Sequence, residues 1–218
     1  MNNIDRYDAY IQTHIKEKDL LITQMEQYAE EYRIPIMESV GIESLIGLLR
    51  IQKPKQILEI GSAIGYSAIR IATALTETNV LTIERDVERY AKAVENIAES
   101  GLTKRIQIIE ADALEIDLDK AYIETFDALF IDAAKGQYQR FFEKYTPFLN
   151  SNGVIYCDNI FMHGMVLRED ADVPKRSRTM IRKLKEFTRW VMSHPEYDSV
   201  LLPIGDGLLI ATKKQEIL

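Results

Sequence analysis

A few residues along this chain have the types and the spacing to do chemistry. Asp132 and Lys135 stand three apart in Phe130-Ile131-Asp132-Ala133-Ala134-Lys135-Gly136, and Asp158 and Asn159 are adjacent after Cys157. Two carboxylates and an amide make an all-oxygen set with open positions, which suits Mg²⁺ and also Mn²⁺. His14, His163 and His194 are scattered, so no zinc spacing competes. A hydroxyl held beside a dication loses its proton more readily. Lys135 is placed to take that proton, because a neighbouring cation favours the neutral amine. The same acids can also do no more than cap helices and hydrogen-bond loops.

A second group is Leu58-Glu59-Ile60-Gly61-Ser62-Ala63-Ile64-Gly65-Tyr66-Ser67. It reads as a strand, a Gly-rich turn and a helix start. Gly61 and Gly65 let the backbone turn sharply and approach a ligand. The G-x-x-x-G spacing, with an acid ahead of it, is not the dinucleotide fingerprint G-x-G-x-x-G. A carboxylate at Glu59 disfavours a pyrophosphate but tolerates the sulfonium and ammonium groups of S-adenosylmethionine. Glu84 follows Gly65 by 19 residues. At a strand tip, an acid there accepts both ribose hydroxyls of a nucleoside ligand.

These residues need a frame. The first 50 or so residues read as helices, with Leu20, Leu21, Met25, Tyr28 and Ala29 at helical spacing, then Ile42, Leu45, Ile46 and Leu49 on one face. After Pro54 the pattern predicts strands over 56–60, 80–83, 106–109, 126–131, 153–157, 199–202 and 207–211. Helices are predicted from the glycine turn through Leu75 and over 87–99, 138–149 and 178–192. Such alternation implies an α/β fold with a mostly parallel sheet and helices on both faces. Ligands of such sheets bind at the carboxyl ends of the strands. Glu84, Asp112, Asp132 and Asp158 all fall at or near such ends.

Composition sets outer bounds. With 218 residues, 46% hydrophobic and 28% charged, the chain suits one domain with a full core. The expected division is helices over 1–53 and the sheet domain over 54–218. No apolar run is long enough for a membrane span, and the polar start does not read as a signal peptide. One cysteine excludes an intrachain disulfide. By elimination the expected compartment is the cytoplasm. A net charge of -7 argues against broad nucleic-acid binding, yet Lys175 to Arg189 holds seven basic residues and one acid.

Together these segments resemble the Rossmann-like, doubly wound, seven-stranded methyltransferases. They are most similar to the metal-dependent O-methyltransferases that include catechol and caffeoyl-CoA enzymes. The resemblance covers nearly the whole chain. It implies that Met37 contacts the methionine end of S-adenosylmethionine and Ser67 its carboxylate. Glu84 would bind the ribose, and Asp112 and Ala113 would flank the adenine. It also implies that Asp132, Asp158 and Asn159 hold the metal, that Lys135 is the base, and that the protein forms homodimers. Met25 and Tyr28 on the N-terminal helices offer an interface.

The chelating site asks for an acceptor with two adjacent oxygens. A catechol has them, and so does 5-hydroxyuracil. Arg178, Arg182, Lys185 and Arg189 fall at i, i+4, i+7 and i+11, on one helical face. With Lys175 and Arg176, that face can track phosphates, or it can be a solvated helix surface. The segments Pro35-Ile36-Met37-Glu38, Gly65-Tyr66-Ser67, Ile131-Asp132-Ala133-Ala134-Lys135-Gly136-Gln137-Tyr138, Lys175-Arg176 and Pro203-Ile204-Gly205-Asp206-Gly207-Leu208 resemble those of bacterial tRNA 5-hydroxyuridine methyltransferases. That resemblance implies tRNA, at its anticodon loop, as the partner. A small-phenol methyltransferase and a non-catalytic binding module are the other readings.

Overall fold

Two of the helices begin at an aspartate whose side chain caps them. In a computed structural model of the chain, residues 3–117, 124–169 and 171–214 are described. Three helices come first: α1 (Asn3–Gln12), α2 (Leu20–Glu31) and α3 (Ser39–Gln52). The Asp19 carboxylate caps α2 by accepting from the Ile22 N–H at 2.8 Å, which satisfies an otherwise orphaned donor. Lys53 turns left-handed at φ 57°, and Pro54 cannot extend α3. The predicted face of α3, Ile42, Leu45, Ile46 and Leu49, is buried.

The sheet domain follows as β1 (Gln56–Ile60), α4 (Tyr66–Ala74), β2 (Asn79–Glu84), α5 (Val87–Glu99), β3 (Ile106–Glu110), β4 (Phe126–Ile131), α6 (Tyr138–Tyr145), β5 (Leu149–Cys157), α7 (Arg178–Met192), β6 (Tyr197–Leu202) and β7 (Leu208–Lys213). The strands form one seven-stranded sheet in the order β3-β2-β1-β4-β5-β7-β6. The first five are parallel, and β7 runs antiparallel between β5 and β6. This is the mostly parallel α/β sheet expected from the alternation, in the seven-stranded, Rossmann-like form that the resemblance implies. Strand order reverses between β1 and β4, which makes the gap at their carboxyl ends the natural ligand crevice.

Alternate strand residues feed two apolar clusters. Leu58, Ile60, Leu129 and Ile131 pack with Tyr138, Phe142, Leu184 and Phe187 on one face. Ile57, Ala128 and Phe130 pack with Leu45, Ile46, Tyr66 and Ile69 on the other. Helices α2 and α3 are part of that second core. Met25 is only 2% exposed there, so it cannot serve the intermolecular interface expected of it. Tyr28 stacks on Tyr32 with the Lys92 ammonium over its ring.

The helix predicted over 138–149 ends at Tyr145 instead. Pro147 lies in a 3-10 turn over Thr146–Phe148, and Leu149 already begins β5. Proline has no N–H to give to a continuing α-helix. Among the described residues no helix is long and apolar enough to cross a membrane.

Candidate active site

The carboxyl ends of β1, β2 and β4 open onto a cavity of about 840 Å³. Residues of α2 and the 34–38 segment, Met37 among them, form the opposite wall. The glycine turn forms the floor. Gly61 sits at φ 98°, and a Cβ there would overlap the main-chain carbonyl of Asp132. Only glycine brings the β1 and β4 loops this close.

Glu84 borders the cavity and is 7% exposed. One carboxylate oxygen accepts from the Ala63 N–H at 2.8 Å, and the other from the Arg85 and Asp86 N–H groups at 2.9 Å. A carboxylate has about four acceptor sites, so this fixed group keeps capacity for a hydroxyl donor. Asp112 stands beside it, fixed by the Leu114 N–H at 2.8 Å and facing Arg85 at 3.6 Å. Met37, Gly61, Ser67, Asp112 and Ala113 also line the cavity. The loop, the predicted ribose acid and the predicted adenine neighbours therefore line one cavity.

Two expected contacts are elsewhere. Gly65 starts α4 at φ 82°, and a Cβ there would meet Ala93 and Ile97 of α5 at 3.5 Å. Those are ordinary contacts, so the left-handed turn into α4 is what asks for glycine, and Gly65 does not line the cavity. Glu59 is 0% exposed and lies behind the loop, accepting from the hydroxyls of Ser67 and Thr82. It reaches the cavity only through Ser67.

The oxygen set converges at the end of β4. Lys135 donates to Asp132 Oδ1 at 2.6 Å and to Asn159 Oδ1 at 2.7 Å. Two of the three expected metal ligands thus aim at one point, held here by an ammonium. Asn159 reaches it from a left-handed backbone, φ 55°. Asp158 is 4% exposed, and its main-chain carbonyl accepts from the Tyr138 hydroxyl at 2.8 Å. Burial, then repulsion from Asp132, pushes the Asp158 acid up, while Lys135 opposes the rise. Crowded carboxylates sharing one lysine suit a further cation. Among the described residues no three His, Cys, Asp or Glu side chains form a ready ligand group. An ion held by Asp132, Asp158 and Asn159 would therefore keep positions open, as Mg²⁺ commonly does.

The sequence reading missed two polar groups. Asp206, in the turn between β6 and β7, lines the cavity, and its Oδ1 accepts from the His163 N–H at 2.6 Å. Its Oδ2 is buried without a hydrogen bond, as is Ser62 Oγ in the glycine turn. The Gly205-Asp206-Gly207 pattern was the available signal.

The basic helix is partly committed to the chain itself. Arg178 donates to the Val173 and Ala171 carbonyls at 2.9 Å, and Lys185 to the Arg168 carbonyl at 2.9 Å. These bonds tie both side chains to the main chain at Arg168, Ala171 and Val173, while Arg178 stays exposed. Lys175, Arg176, Arg182 and Arg189 are exposed, and Arg182 lies 3.8 Å from Glu186. Lys183, outside the predicted face, lies beside the turn that carries Lys135, with its Cδ 3.6 Å from a Cβ built on Gly136.

The family model described as O-methyltransferase matches residues 11–214. The chain belongs to this O-methyltransferase family. It is similar along its length to several proteins of named activity. A catechol O-methyltransferase of Niastella koreensis is 30% identical, over 98% of this chain and 100% of that protein. A candidate caffeoyl-CoA O-methyltransferase from Staphylococcus aureus superposes with a TM-score of 0.86 at 32% identity, covering 97% and 99% of the two chains. The methyltransferase PaMTH1 of Podospora anserina, solved with S-adenosylhomocysteine bound, gives 0.83 at 26% identity, covering 99% and 97%.

Proposed function

We propose that this O-methyltransferase binds S-adenosylmethionine in the cavity and methylates the 5-hydroxyl of 5-hydroxyuridine at the wobble position of tRNA. The observation that carries the chemistry is the convergence of Asp132 and Asn159 on one cation position beside the cavity. A divalent ion held by Asp132, Asp158 and Asn159, Mg²⁺ or Mn²⁺, supplies Lewis-acid chemistry that makes a hydroxyl easier to deprotonate. Lys135, released from its two oxygen partners as a free amine, accepts that proton at Nζ. Glu84 accepts from a ribose hydroxyl, Asp112 and Ala113 border the adenine, and Met37 and Ser67 border the methionine end. The cavity that takes both holds acceptor and methyl donor in line.

The tRNA assignment rests on the resemblance of the segments quoted above and on exposed cations in an acidic chain. Lys175, Arg176, Arg182 and Arg189 are exposed, and Lys183 stands next to the Lys135 turn. A second reading, methylation of a small catechol or caffeoyl-type phenol, is favoured by the names of the relatives. The test is to incubate the protein with cofactor, Mg²⁺ and tRNA containing 5-hydroxyuridine, then analyse nucleosides by mass spectrometry. The expected product is 5-methoxyuridine. Efficient methylation of catechol or caffeate with no 5-methoxyuridine replaces the tRNA reading by the second.

A further inference from the structure

Glu59 is a carboxylic acid at a strand position whose neighbours on the same side are apolar. It follows Ile57 by two residues on β1, so it faces the helix layer of α3 and α4, and it is 0% exposed. Both oxygens are occupied by hydroxyl donors, Ser67 on Oε1 and Thr82 on Oε2. Among the described residues no ammonium, guanidinium or imidazole forms an ion pair with it. The charges that face it are the Asp132 carboxylate at the end of β4 and the Glu84 carboxylate at the end of β2. The acid is pushed up to about 7: burial raises it most, the two hydroxyls pull it back, and Asp132 and Glu84 add to the rise.

The state of this acid fixes what Ser67 offers to a ligand. An ionised carboxylate only accepts, so both hydroxyls must donate to it. Ser67, on the cavity wall, then presents lone pairs alone to the cavity. A protonated acid has an O–H of its own. Thr82 is 0% exposed and keeps donating to Oε2. The O–H at Oε1 then donates to Ser67, and the Ser67 hydroxyl proton is freed to point into the cavity. The carboxylate of an amino-acid moiety accepts hydrogen bonds and cannot donate them.

We infer that Glu59 is a positioning residue that works by holding a proton: cofactor binding selects the protonated acid, Ser67 donates to the methionine carboxylate, and binding takes up a proton. This rests on the reading that S-adenosylmethionine fills the cavity with its methionine end at Ser67. The sign follows from linkage. Binding prefers the protonated form, so affinity is level below the acid's pKa and falls above it, by about tenfold per pH unit.

The experiment is calorimetric titration of the full chain with S-adenosylhomocysteine, from about pH 6 to about pH 9, in buffers of different ionisation enthalpy. Uptake approaching one proton per ligand is expected as the pH passes about 7. Glu59→Gln donates to Ser67 and accepts from Thr82 at once, so it should bind at least as tightly at alkaline pH with the uptake gone. Ser67→Ala should bind more weakly and lose the pH slope. The ligand's own ammonium titrates alike in all three proteins. Binding by the wild type without uptake overturns the inference alone, as does the same uptake in a Glu59→Gln protein shown to be folded by thermal melting. If Glu59→Gln does not fold, an unchanged pH slope in Ser67→Ala overturns it. No binding by the wild type overturns the cofactor reading and this inference with it.

Discussion

Lys135 donates to Asp132 across 2.6 Å, from three residues along the chain. The lysine is therefore both a candidate base and the cation that now holds the ligand oxygens in place. Lys135→Ala should lower kcat by roughly 10²–10⁴-fold, the usual worth of a general base. The loss should shrink at high pH, where hydroxide substitutes. The ammonium and a dication claim the same two oxygens, so the variant should also bind Mg²⁺ more tightly. Steady-state kinetics and metal titration check the two effects separately; unchanged kcat would remove Lys135 from the proton transfer.

Much of this site is legible in the sequence because its signals are local. An apolar run followed by Gly61 and Gly65 marks a strand, turn and helix within ten residues. Asp132 and Asp158 each close an apolar run, which by itself places them at the ends of neighbouring strands. What is not legible depends on neighbours distant in sequence. Nearness to Gly61 suggests a ligand contact for Glu59, but the pleat turns it to the helix side, against Ser67 and Thr82. Helical spacing puts Arg178 and Lys185 on one face and says nothing of the Arg168, Ala171 and Val173 carbonyls that bind them. Asp206 arrives from the turn between the last two strands, which no spacing near Asp132 reveals.

The metal reading predicts that a chelator abolishes methyl transfer reversibly, with activity restored by Mg²⁺. Asp132→Ala should be inactive. Asp158→Asn separates catalysis from folding. The Asp158 acid is pushed up by burial and by Asp132, so its ionised form is disfavoured in the fold. A carboxyl raised on folding adds stability below its unfolded pKa and loses it as pH rises through the folded value. In chelator near neutral pH, Asp158→Asn should therefore melt no lower than the wild type, while methyl transfer is lost. Full activity in excess chelator would rule out the metal.

Gly61 brings the cofactor turn against Asp132. Its φ of 98° is strained for any other residue, and a Cβ would overlap the Asp132 carbonyl. Gly61→Ala should destabilise the fold by about 1–3 kcal/mol, the scale of such backbone strain. Parting the two loops should also weaken S-adenosylhomocysteine binding by more than the melting shift explains. Differential scanning calorimetry and ligand titration on the same sample test this; wild-type affinity in the variant would mean that the close approach is not needed for binding.

The substrate reading turns on exposed cations. Arg178 and Lys185 are poor probes, because removing them would also break bonds to the Arg168, Ala171 and Val173 carbonyls. Arg182 and Lys183 are better: both are exposed on α7, and Lys183 adjoins the turn that presents Lys135. If they contact phosphates, Arg182→Ala with Lys183→Ala should raise KM for 5-hydroxyuridine-containing tRNA. The slope of log affinity against log salt should fall by about one unit per lost contact. Cofactor affinity should stay unchanged, because neither side chain lines the cavity wall near Glu84. A catechol carries no phosphate, so its turnover should be indifferent to the double substitution. Equal loss on tRNA and on catechol would point to damage at the Lys135 turn. No loss on tRNA at any salt concentration would take this end of α7 out of RNA recognition.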